Sequence, residues 1–519
     1  MSAELMRFLK EKGILLEKDL FDLFSLMDSG RAKQLVEQLE RYSGQKIITR
    51  ASLNKSYEFV QSFVNTIPGE EKQLLENTFI KLGVHIEVRH EQVVAETKAS
   101  ERKQDFKLFY ADTKVDKKLD VQDFVGHFRS RYQQLQRILM TRPELGNLMA
   151  INKLSSERQN VSIIGMVTEK RVTKNKNLAI RFEDLTGSIS GLVKVDNVEL
   201  FSKADELQLD DVVAVKASGS RDLLFIHELY YPDSLLPERV RFDEDIAVGF
   251  LSDVHCGSDR HLKKSMGHFL EWVRSDDPLA GKLKYLFFVG DNVDGVGVFP
   301  NQEAVLELKS MKEQYSLLAS YLRQIPSHIT MFMCPGQHDA VRVAEPQPLI
   351  SKHYAPELYA IDNLVLVTNP ATVKLLEGDK EFKILMYHGA SIHTFINEIK
   401  ELREAKAHRT PAKAVRHMLK RRHLAPTHSS VVYIPSVERD PLVISEVPDV
   451  LCTGEVHRMD IESYNGVLII TGSCWQAQTD FEEKIGNIPD PGKVAVLNLK
   501  SRELKVLDFL DEGEADAYT

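Results

Sequence analysis

The chain is poor in cysteine and has no long apolar run. Its 519 residues include four cysteines, none in a C-x-x-C pair, at Cys256, Cys334, Cys452 and Cys474. This usage argues against a disulfide framework and indicates reduced, intracellular thiols. No apolar run approaches the roughly 18 to 20 residues that span a bilayer. Charged residues also interrupt the N-terminus where a signal peptide would be apolar. We therefore expect a cytoplasmic protein without a membrane partner.

The chain also lacks an excess of positive charge. Its formal net charge is −9, with 43% hydrophobic and 28% charged residues, which is typical of an ordinary folded protein. Any contact with nucleic acid must therefore come from a local basic patch. The length is too great for a single hydrophobic core and indicates about two to four domains.

The first 90 residues are predicted to form a small, mostly helical domain. Apolar residues recur at helical spacing over residues 1 to about 65, and a further helix over about 70–82 and a short strand over 84–88 are expected. No pattern here is typical of a catalytic site, so we interpret residues 1–90 as a docking domain. Residues 91–120 are polar and charged, which predicts a flexible linker.

Residues 121–240 are predicted to hold an amphipathic helix and a β-barrel. Residues 160–232 show three short strands, a helix-like stretch and two more strands, which is the order of an OB-fold. Such barrels bind single strands through aromatic stacking and basic grooves. The candidate groove residues are Lys170, Arg171, Lys174, Lys176 and Arg181. Contact with DNA and support of the neighbouring domain both stay open, and the second is favoured because charged hairpin tips are usually only solvated.

Residues 241–519 are predicted to form an α/β domain with functional residues at its strand ends. Five apolar, strand-like runs are each followed by a polar motif, in the order Asp253-Val254-His255, Gly290-Asp291-Asn292-Val293-Asp294, Gly336-Gln337-His338-Asp339, His388-Gly389 and Gly454-Glu455-Val456-His457. Ligand-binding residues of open α/β sheets gather beyond the carboxyl ends of the strands. Strand-end capping explains one or two such loops but not five.

The residue types in these loops are those that a pair of divalent cations requires. Two cations about 3.5 to 4 Å apart need a shared ligand, and a carboxylate can bridge them. Asp291 follows a glycine that permits close backbone approach, so we predict that it is the bridge. Asp253 and His255 are two residues apart, so an extended backbone directs both to one side. Mixed carboxylate and imidazole ligation favours Mn²⁺, Fe²⁺ or Zn²⁺ over Mg²⁺ or Ca²⁺.

This order of loops resembles the calcineurin-like metallophosphoesterase superfamily. More narrowly, roughly residues 120–510 are similar to the small subunits of archaeal family D DNA polymerases. The narrower resemblance rests on the stretches GQHDAVR at 336–342, EPQP at 345–348, LKRRHLAPT at 419–427, and DPLVI at 440–444 leading into EVPD at 446–449.

The resemblance implies a 3′–5′ exonuclease that accompanies a separate large polymerase subunit. It implies one divalent metal held by Asp253, His255, Asp291 and His457, and a second held by Asp291, Gln337, His388 and Glu455. Water between the metals would attack the terminal phosphodiester of DNA. His338 would stabilise the developing charge or protonate the leaving 3′ oxygen, with Asp339 orienting its ring.

The resemblance also implies cofactors and partners. Two divalent ions are expected, preferably Mn²⁺, with Fe²⁺, Zn²⁺ and Mg²⁺ left open. The expected partners are the large polymerase subunit and single-stranded or mismatched 3′ ends of DNA, and a sliding-clamp contact stays open.

Two positions depart from the family pattern, both at the second metal. Gln337 stands where the pattern has asparagine, and Glu455 stands where it has histidine. One interpretation is a retuned site that favours a harder ion such as Mn²⁺ or Mg²⁺. The other is a weakened site in a scaffold that only stabilises the large subunit. Because every first-metal ligand persists, together with His338 and His388, we expect retained exonuclease activity.

Some other residues admit two interpretations. One basic run has helical spacing and consists of Arg416, Lys420, Arg421 and Arg422. It is expected either to contact a phosphate backbone or to face a partner subunit or solvent. Trp475 and Tyr387 either stack on a terminal base or belong to the core, and the core is favoured. Three cysteines lie near the predicted ligands, but small buried residues at strand ends are the favoured interpretation.

Overall fold

The computed structural model describes residues 2–25, 29–43, 46–49, 105–111, 113 and 118–516. The chain divides into two compact units, residues 1–92 and 93–519. The helix expected over 70–82 and the strand expected over 84–88 lie outside the described residues, as does most of the predicted linker. Among the described helices, none is both long enough and apolar enough to cross a membrane.

The first unit packs short helices around one apolar core. Its described elements are α1 (Ser2–Lys12), β1 (Leu15–Leu16), α2 (Lys18–Phe24), α3 (Ser29–Ser43) and β2 (Ile47–Ile48). The two short strands pair in parallel, with Leu15 opposite Ile47. Leu5 and Leu9 of α1 belong to the same buried cluster as Leu35 of α3, because residues three to four apart share one helix face.

Part of the predicted linker is a strand in the second unit. β3 (Phe106–Tyr110) pairs antiparallel with β13 (Ala371–Glu377) at the edge of a sheet. Its Leu108 is buried, and Phe106 packs edge-to-face on Phe332 with ring centroids 5.0 Å apart. The prediction of a flexible linker is therefore wrong for these five residues. Their apolar alternation lies inside a charged stretch, and the partner strand is remote in sequence.

A closed barrel follows the long helix α4 (Val121–Met140). Its elements are β4 (Gln159–Val172), β5 (Leu178–Glu183), β6 (Ser188–Val193), α5 (Val198–Asp205), β7 (Val212–Ser220) and β8 (Leu223–Tyr230). The strands close in the order β4-β5-β6-β8-β7. The predicted sequence of three strands, a helix and two strands is present at the predicted positions. Alternate residues of β5 point inward, which explains the apolar period of two.

The remainder of the second unit contains two six-stranded sheets. Across the first sheet the order is β12 (Leu364–Leu366), β11 (Thr330–Cys334), β10 (Leu283–Val289), β9 (Ala247–Leu251), β18 (Lys493–Asn498) and β19 (Leu504–Asp508). Across the second it is β16 (Asp460–Tyr464), β17 (Val467–Thr471), β15 (Val450–Thr453), β14 (Lys380–Met386), β13 and β3. One buried cluster joins Phe250 and Phe287 of the first sheet to Phe382 and Ile384 of the second. The sheets therefore share a core.

Helices cover the outer face of each sheet. The helices of this region are α6 (Lys263–Val273), α7 (Met311–Leu322), α8 (Ile392–Glu398), α9 (Lys400–Glu404), α10 (Ala412–Arg421), α11 (Asp480–Ile485) and α12 (Glu512–Asp516). Phe269 of α6 and Leu318 of α7 pack on the first sheet, and Phe395 of α8 and Met418 of α10 pack on the second. The arrangement is a multilayered α/β sandwich preceded by a barrel, in agreement with the predicted mixed α/β, multidomain class.

The basic run of α10 holds the barrel against the sandwich. Arg421 Nε donates to both carboxylate oxygens of Asp211 at 3.0 and 3.1 Å, and Lys420 pairs with Glu206 of the barrel. Arg422 is buried and donates to the Ile444 carbonyl at 2.6 Å. Arg416 bonds Glu462 at 3.2 Å. These side chains make contacts within the chain, and those of Arg416 and Lys420 stay partly exposed, at 30% and 19%. The two roles predicted for the run, at a phosphate backbone or at a partner or solvent, stay predictions.

Candidate metal centre

The predicted ligands converge at the carboxyl ends of parallel strands. β9, β10 and β11 run parallel in the first sheet, and β14 runs parallel to β15 in the second. Ligand atoms of Asp253, His255 and His457 lie within 4.8 Å of one another, and so do those of Asp253, Asp291 and His388. Both sheets therefore contribute to one centre.

The first group contains two imidazoles whose Nε2 atoms face each other at 3.1 Å. His457 Nε2 also lies 3.6 Å from Asp253 Oδ1. The Nδ1 atoms contact carboxylates, that of His255 at 3.1 Å from Asp294 and that of His457 at 3.0 Å from Glu482. Because a carboxylate accepts, each Nδ1 carries the proton and each Nε2 directs a lone pair into the centre.

The second group is arranged around His388. Its Nδ1 donates to the Val289 carbonyl at 2.9 Å, so its Nε2 is left as the ligand atom. That Nε2 lies 3.2 Å from Asp291 Oδ2 and 3.2 Å from Glu455 Oε2. Gln337 Nε2 donates to the same Glu455 oxygen at 2.8 Å. The two residues that depart from the family pattern are therefore in direct contact.

The donor atoms of this centre fit divalent cations. Three buried ligand atoms, Asp253 Oδ2, Gln337 Oε1 and His388 Nε2, have no hydrogen-bond partner within the described protein. Buried polar atoms are usually paired, so three such atoms at one place indicate a ligand of opposite polarity. Three carboxylates, three imidazoles and one amide oxygen form a mixed set that suits transition metals.

The ligand loops have a strained backbone. Five predicted ligands have left-handed φ angles: Asp253 at 52°, His255 at 49°, Asp291 at 46°, Glu455 at 76° and His457 at 58°. Non-glycine residues adopt this region at a cost, and such strain concentrates at functional sites. Gly290 is required sterically, because a Cβ there would overlap the His388 ring. This confirms the predicted close approach before Asp291.

Electrostatics lower the pKa of two of the three carboxylates, Asp291 and Glu455, whereas burial raises the pKa of Asp253. Burial alone would raise the pKa of Asp291, but its interactions with the His388 and His338 imidazoles outweigh burial and hold that pKa below its usual range. Burial of Glu455 is likewise outweighed by its contact with His388, which brings the pKa of Glu455 to about 2. Burial opposes a charge on His388, but Asp291 and Glu455 raise its pKa well above the ordinary value. The centre therefore attracts positive charge.

His338 lies beside the ligands, but Asp339 does not orient its ring. His338 Nδ1 donates instead to the Asp294 carbonyl at 2.6 Å. The Asp339 oxygens accept hydrogen bonds from Gly336, from Asn292 and, at 2.9 Å, from the Tyr315 hydroxyl. The prediction that Asp339 orients the His338 ring is therefore wrong. The Asp339 carboxylate instead holds the ligand loop through these hydrogen bonds.

Several residues that position the ligands were not predicted from the sequence. Asp294 holds both His255 and His338, and its place in the G-D-x-x-D motif was an available signal. Glu482 binds His457 across 25 residues, and no local pattern reveals this. Gln347 donates to the Gly336 carbonyl at 3.2 Å and accepts from Asn369 at 2.7 Å. Asn369 in turn accepts from the His388 amide, so the EPQP stretch links two ligand loops.

The remaining candidates belong to the core. Trp475 and Tyr387 are fully buried, in agreement with the favoured interpretation, and neither is available for stacking on a substrate. All four cysteines are free and buried. Burial raises the pKa of Cys334 to about 12, so its thiol stays protonated at neutral pH.

The chain matches a family model and several known proteins. Residues 248–460 match a family model that describes the B-type subunits of DNA polymerases alpha and epsilon. The chain is 38% identical over 401 residues to the DNA polymerase II small subunit of Pyrococcus furiosus, covering 75% of this chain and 64% of that protein. It is 37% identical over 396 residues to the DNA polymerase II small subunit of Methanothermobacter thermautotrophicus, covering 75% and 80% of the two chains. The match thus spans just under two thirds of the Pyrococcus relative.

One solved structure is also similar, a protein described as a novel archaeal phosphodiesterase. It is 13% identical, with a TM-score of 0.25, over 50% of this chain and 99% of that one.

Proposed function

The chain belongs to the family of archaeal DNA polymerase II small subunits, and from that membership we propose that its metal centre is a two-metal 3′–5′ exonuclease acting on DNA. The observation that supports this most directly is the set of three imidazoles whose Nδ1 atoms are hydrogen-bonded and whose ligand atoms are grouped with those of Asp253 and Asp291. Histidines with a purely structural role do not require that their imidazole ligand atoms converge on one centre.

In this proposal Asp291 is the shared ligand. Asp253, His255 and His457 complete one metal position, and Gln337, His388 and Glu455 complete the other. Two bound divalent cations, preferably Mn²⁺, would acidify water and neutralise charge on the phosphodiester. His388 and His457 enter with tautomers already fixed by their Nδ1 hydrogen bonds, so ligand reorientation is small.

His338 is the proposed proton donor to the leaving group. Its ring is fixed by the Asp294 carbonyl, its Nε2 lies 3.9 Å from Asp291 Oδ2, and its side chain is 22% exposed. Hydrolysis adds water across the bond between phosphorus and the 3′ oxygen, with hydroxyl on phosphorus and the proton on oxygen. The products are a nucleoside 5′-monophosphate and a shortened strand with a 3′ hydroxyl.

We propose that synthesis belongs to a separate large subunit, and that this chain removes single-stranded or mismatched 3′ ends beside it. The barrel is assigned to the OB type, which is supported by its strand order and by the parallel pairing of β6 with β8. Its Lys170 donates to the Asp205 carbonyl, Arg171 pairs with Glu169, and Arg181 donates to Ser188. Because these candidate groove residues contact the barrel itself, support of the sandwich is its proposed role.

The contact between Gln337 and Glu455 favours a working second metal position over a decaying one. The Gln337 amide donates its N–H to Glu455 and leaves its oxygen buried and free to ligate. If Gln337 only filled space, its amide would not need to be oriented in this way.

The test is release of 5′-monophosphates from a 3′-labelled, mismatched primer in Mn²⁺, with and without the large subunit. Asp291→Ala is expected to reduce release to background while the folded protein still binds its partner, and the exposed Asp276→Ala is the matched control. Mn²⁺ binding measured by calorimetry should fall with the activity. No release from folded wild-type protein in either condition would support the scaffold interpretation instead.

A further inference from the structure

An exposed apolar loop begins directly after the metal centre. Residues 295–305, here called the apolar loop, follow Asp294 and read GVGVFPNQEAV, with Glu303 as their one charged residue. Val296 is 39% exposed, Val298 is 40% exposed and Phe299 is 43% exposed. Surface loops are normally polar, so consecutive exposed apolar side chains indicate a binding surface.

Two buried glutamines fix the base of this loop. Gln302 donates to the carbonyl and to the carboxylate of Asp294 at 2.8 and 2.9 Å, and accepts from the Val298 amide at 2.9 Å. Gln314 binds both backbone groups of Gly295, at 2.8 and 3.0 Å. Gln302 and Gln314 are 1% and 0% exposed. Buried hydrogen bonds therefore hold the base of the apolar loop, while its tip is exposed.

Both ends of the apolar loop adjoin the metal centre. At its start, Asp294 contacts the rings of His255 and His338. At its end, the Val305 carbonyl accepts from the Asp259 amide at 3.0 Å, four residues after His255. The loop is therefore held at its start by a residue of the proposed exonuclease site and at its end by the segment that follows His255.

We propose that Phe299, flanked by Val296 and Val298, forms a platform on which the 3′-terminal nucleobase stacks while its phosphodiester lies at the metals. This inference rests on the proposed exonuclease function. The loop contains no lysine or arginine, so it offers no cationic side chain to a phosphate. Every base has an apolar face, so stacking on an aromatic ring is tolerant of sequence, as removal of any terminal nucleotide requires.

The platform also favours frayed ends over paired ones. A base can reach Phe299 only after leaving its neighbour in the duplex, and a mismatched or single-stranded base leaves at the lowest cost. The apolar loop thus supplies a physical basis for selecting mismatched termini.

The first experiment compares KM for single-stranded oligonucleotides that end in a normal or an abasic 3′ nucleotide. Wild-type protein should bind the abasic end about 5-fold or more weakly, which is the lower range for loss of one stacked base. Phe299→Ala should raise KM for the normal end by a similar factor and remove the discrimination, and Phe299→Trp should restore it. Tyr354→Ala is the matched control, since Tyr354 is 42% exposed outside this loop.

The second experiment reports stacking without cleavage. The oligonucleotide carries 3′-terminal 2-aminopurine and a methylene in place of the last bridging 3′ oxygen. Wild-type protein and Tyr354→Ala should quench its fluorescence, and Phe299→Ala should not. Cleavage of normal DNA with quenching unaffected by Phe299→Ala would overturn the platform alone. Quenching without cleavage of normal DNA would overturn the exonuclease and retain the platform. Loss of large-subunit binding in Phe299→Ala, with discrimination retained, would make the loop a protein-docking surface and overturn the proposal.

Discussion

At the residue scale, the metal centre depends on hydrogen bonds that give each imidazole one orientation. His255, His388 and His457 all direct Nε2 inward because their Nδ1 atoms bind a carboxylate or a carbonyl. The left-handed backbone at Asp253 and Asp291 would be unfavourable alone, so the surrounding contacts must hold it. The partners of the ligands therefore matter nearly as much as the ligands.

Glu482 provides the sharpest test of this dependence. Its Oε1 accepts from His457 Nδ1 at 3.0 Å, and its pKa is brought to about 2, since its interaction with His457 outweighs burial. Glu482→Gln removes the charge but retains the size, and we expect Mn²⁺ affinity to fall about 10- to 100-fold by calorimetry. The exposed neighbour Glu483→Gln should bind as the wild type does. Equal affinity in both variants would show that the His457 orientation does not depend on Glu482.

Glu345 predicts a pH dependence of stability. Burial raises its pKa to about 8, against an ordinary value of 4.5, and the Tyr387 hydroxyl donates to it at 3.2 Å. The folded state therefore keeps a proton that the unfolded chain releases, so stability falls as pH rises from about 4.5 to about 8. The slope is about 1.4 kcal/mol per pH unit, or about 3 kcal/mol between pH 5.5 and 7.5.

Glu345→Gln should remove this contribution, because glutamine is neutral throughout. Urea denaturation in a metal chelator should show that the variant gains stability relative to wild type as pH rises. Glu313→Gln, on the surface of α7, should keep the wild-type slope. Parallel pH profiles for Glu345→Gln and wild type would mean that Glu345 is ionised in the folded protein.

At the element scale, the sequence predicted those strands whose apolar runs end in chemically distinctive loops. A buried parallel strand can be predicted from a short apolar run alone, which is why β9, β10 and β15 were predicted. The edge strand β3 was missed because its partner β13 is far along the chain. The helical spacing of the basic run in α10 was recognisable, but spacing does not reveal which element packs against that face.

The position of α4 depends on one buried ion pair that no local sequence pattern indicates. Arg131 Nε donates to Asp440 Oδ2 at 2.6 Å, and His423 lies 2.9 Å from the same oxygen. Arg131 and Asp440 are 1% and 0% exposed. Arg131→Ala should cost about 3 to 5 kcal/mol, because Asp440 would remain buried without the guanidinium. Urea denaturation measures this, and exposed Arg129→Ala should change stability by less than about 0.5 kcal/mol. A cost below about 1 kcal/mol for Arg131→Ala would show that α4 does not depend on the pair.

At the scale of the whole molecule, the metal centre joins the two sheets. Asp253, Asp291 and Gln337 follow strands of the first sheet, whereas His388 and His457 follow strands of the second. The facing loops bring three carboxylates together, and their repulsion opposes the approach of the sheets. Bound cations would relieve that repulsion and link the sheets through shared ligands.

Metal removal should therefore destabilise the sandwich as a whole. A ligand that binds only the folded state stabilises it by about 2.7 kcal/mol at 100 times its Kd. We expect a chelator to lower the Tm by a few degrees relative to saturating Mn²⁺. In Asp291→Ala, which removes the shared ligand, the difference between the two conditions should disappear, whereas Asp276→Ala should retain it. A chelator-independent Tm in the wild type would mean that the two sheets are held by their apolar core alone, since a metal bound by both would necessarily stabilise their contact.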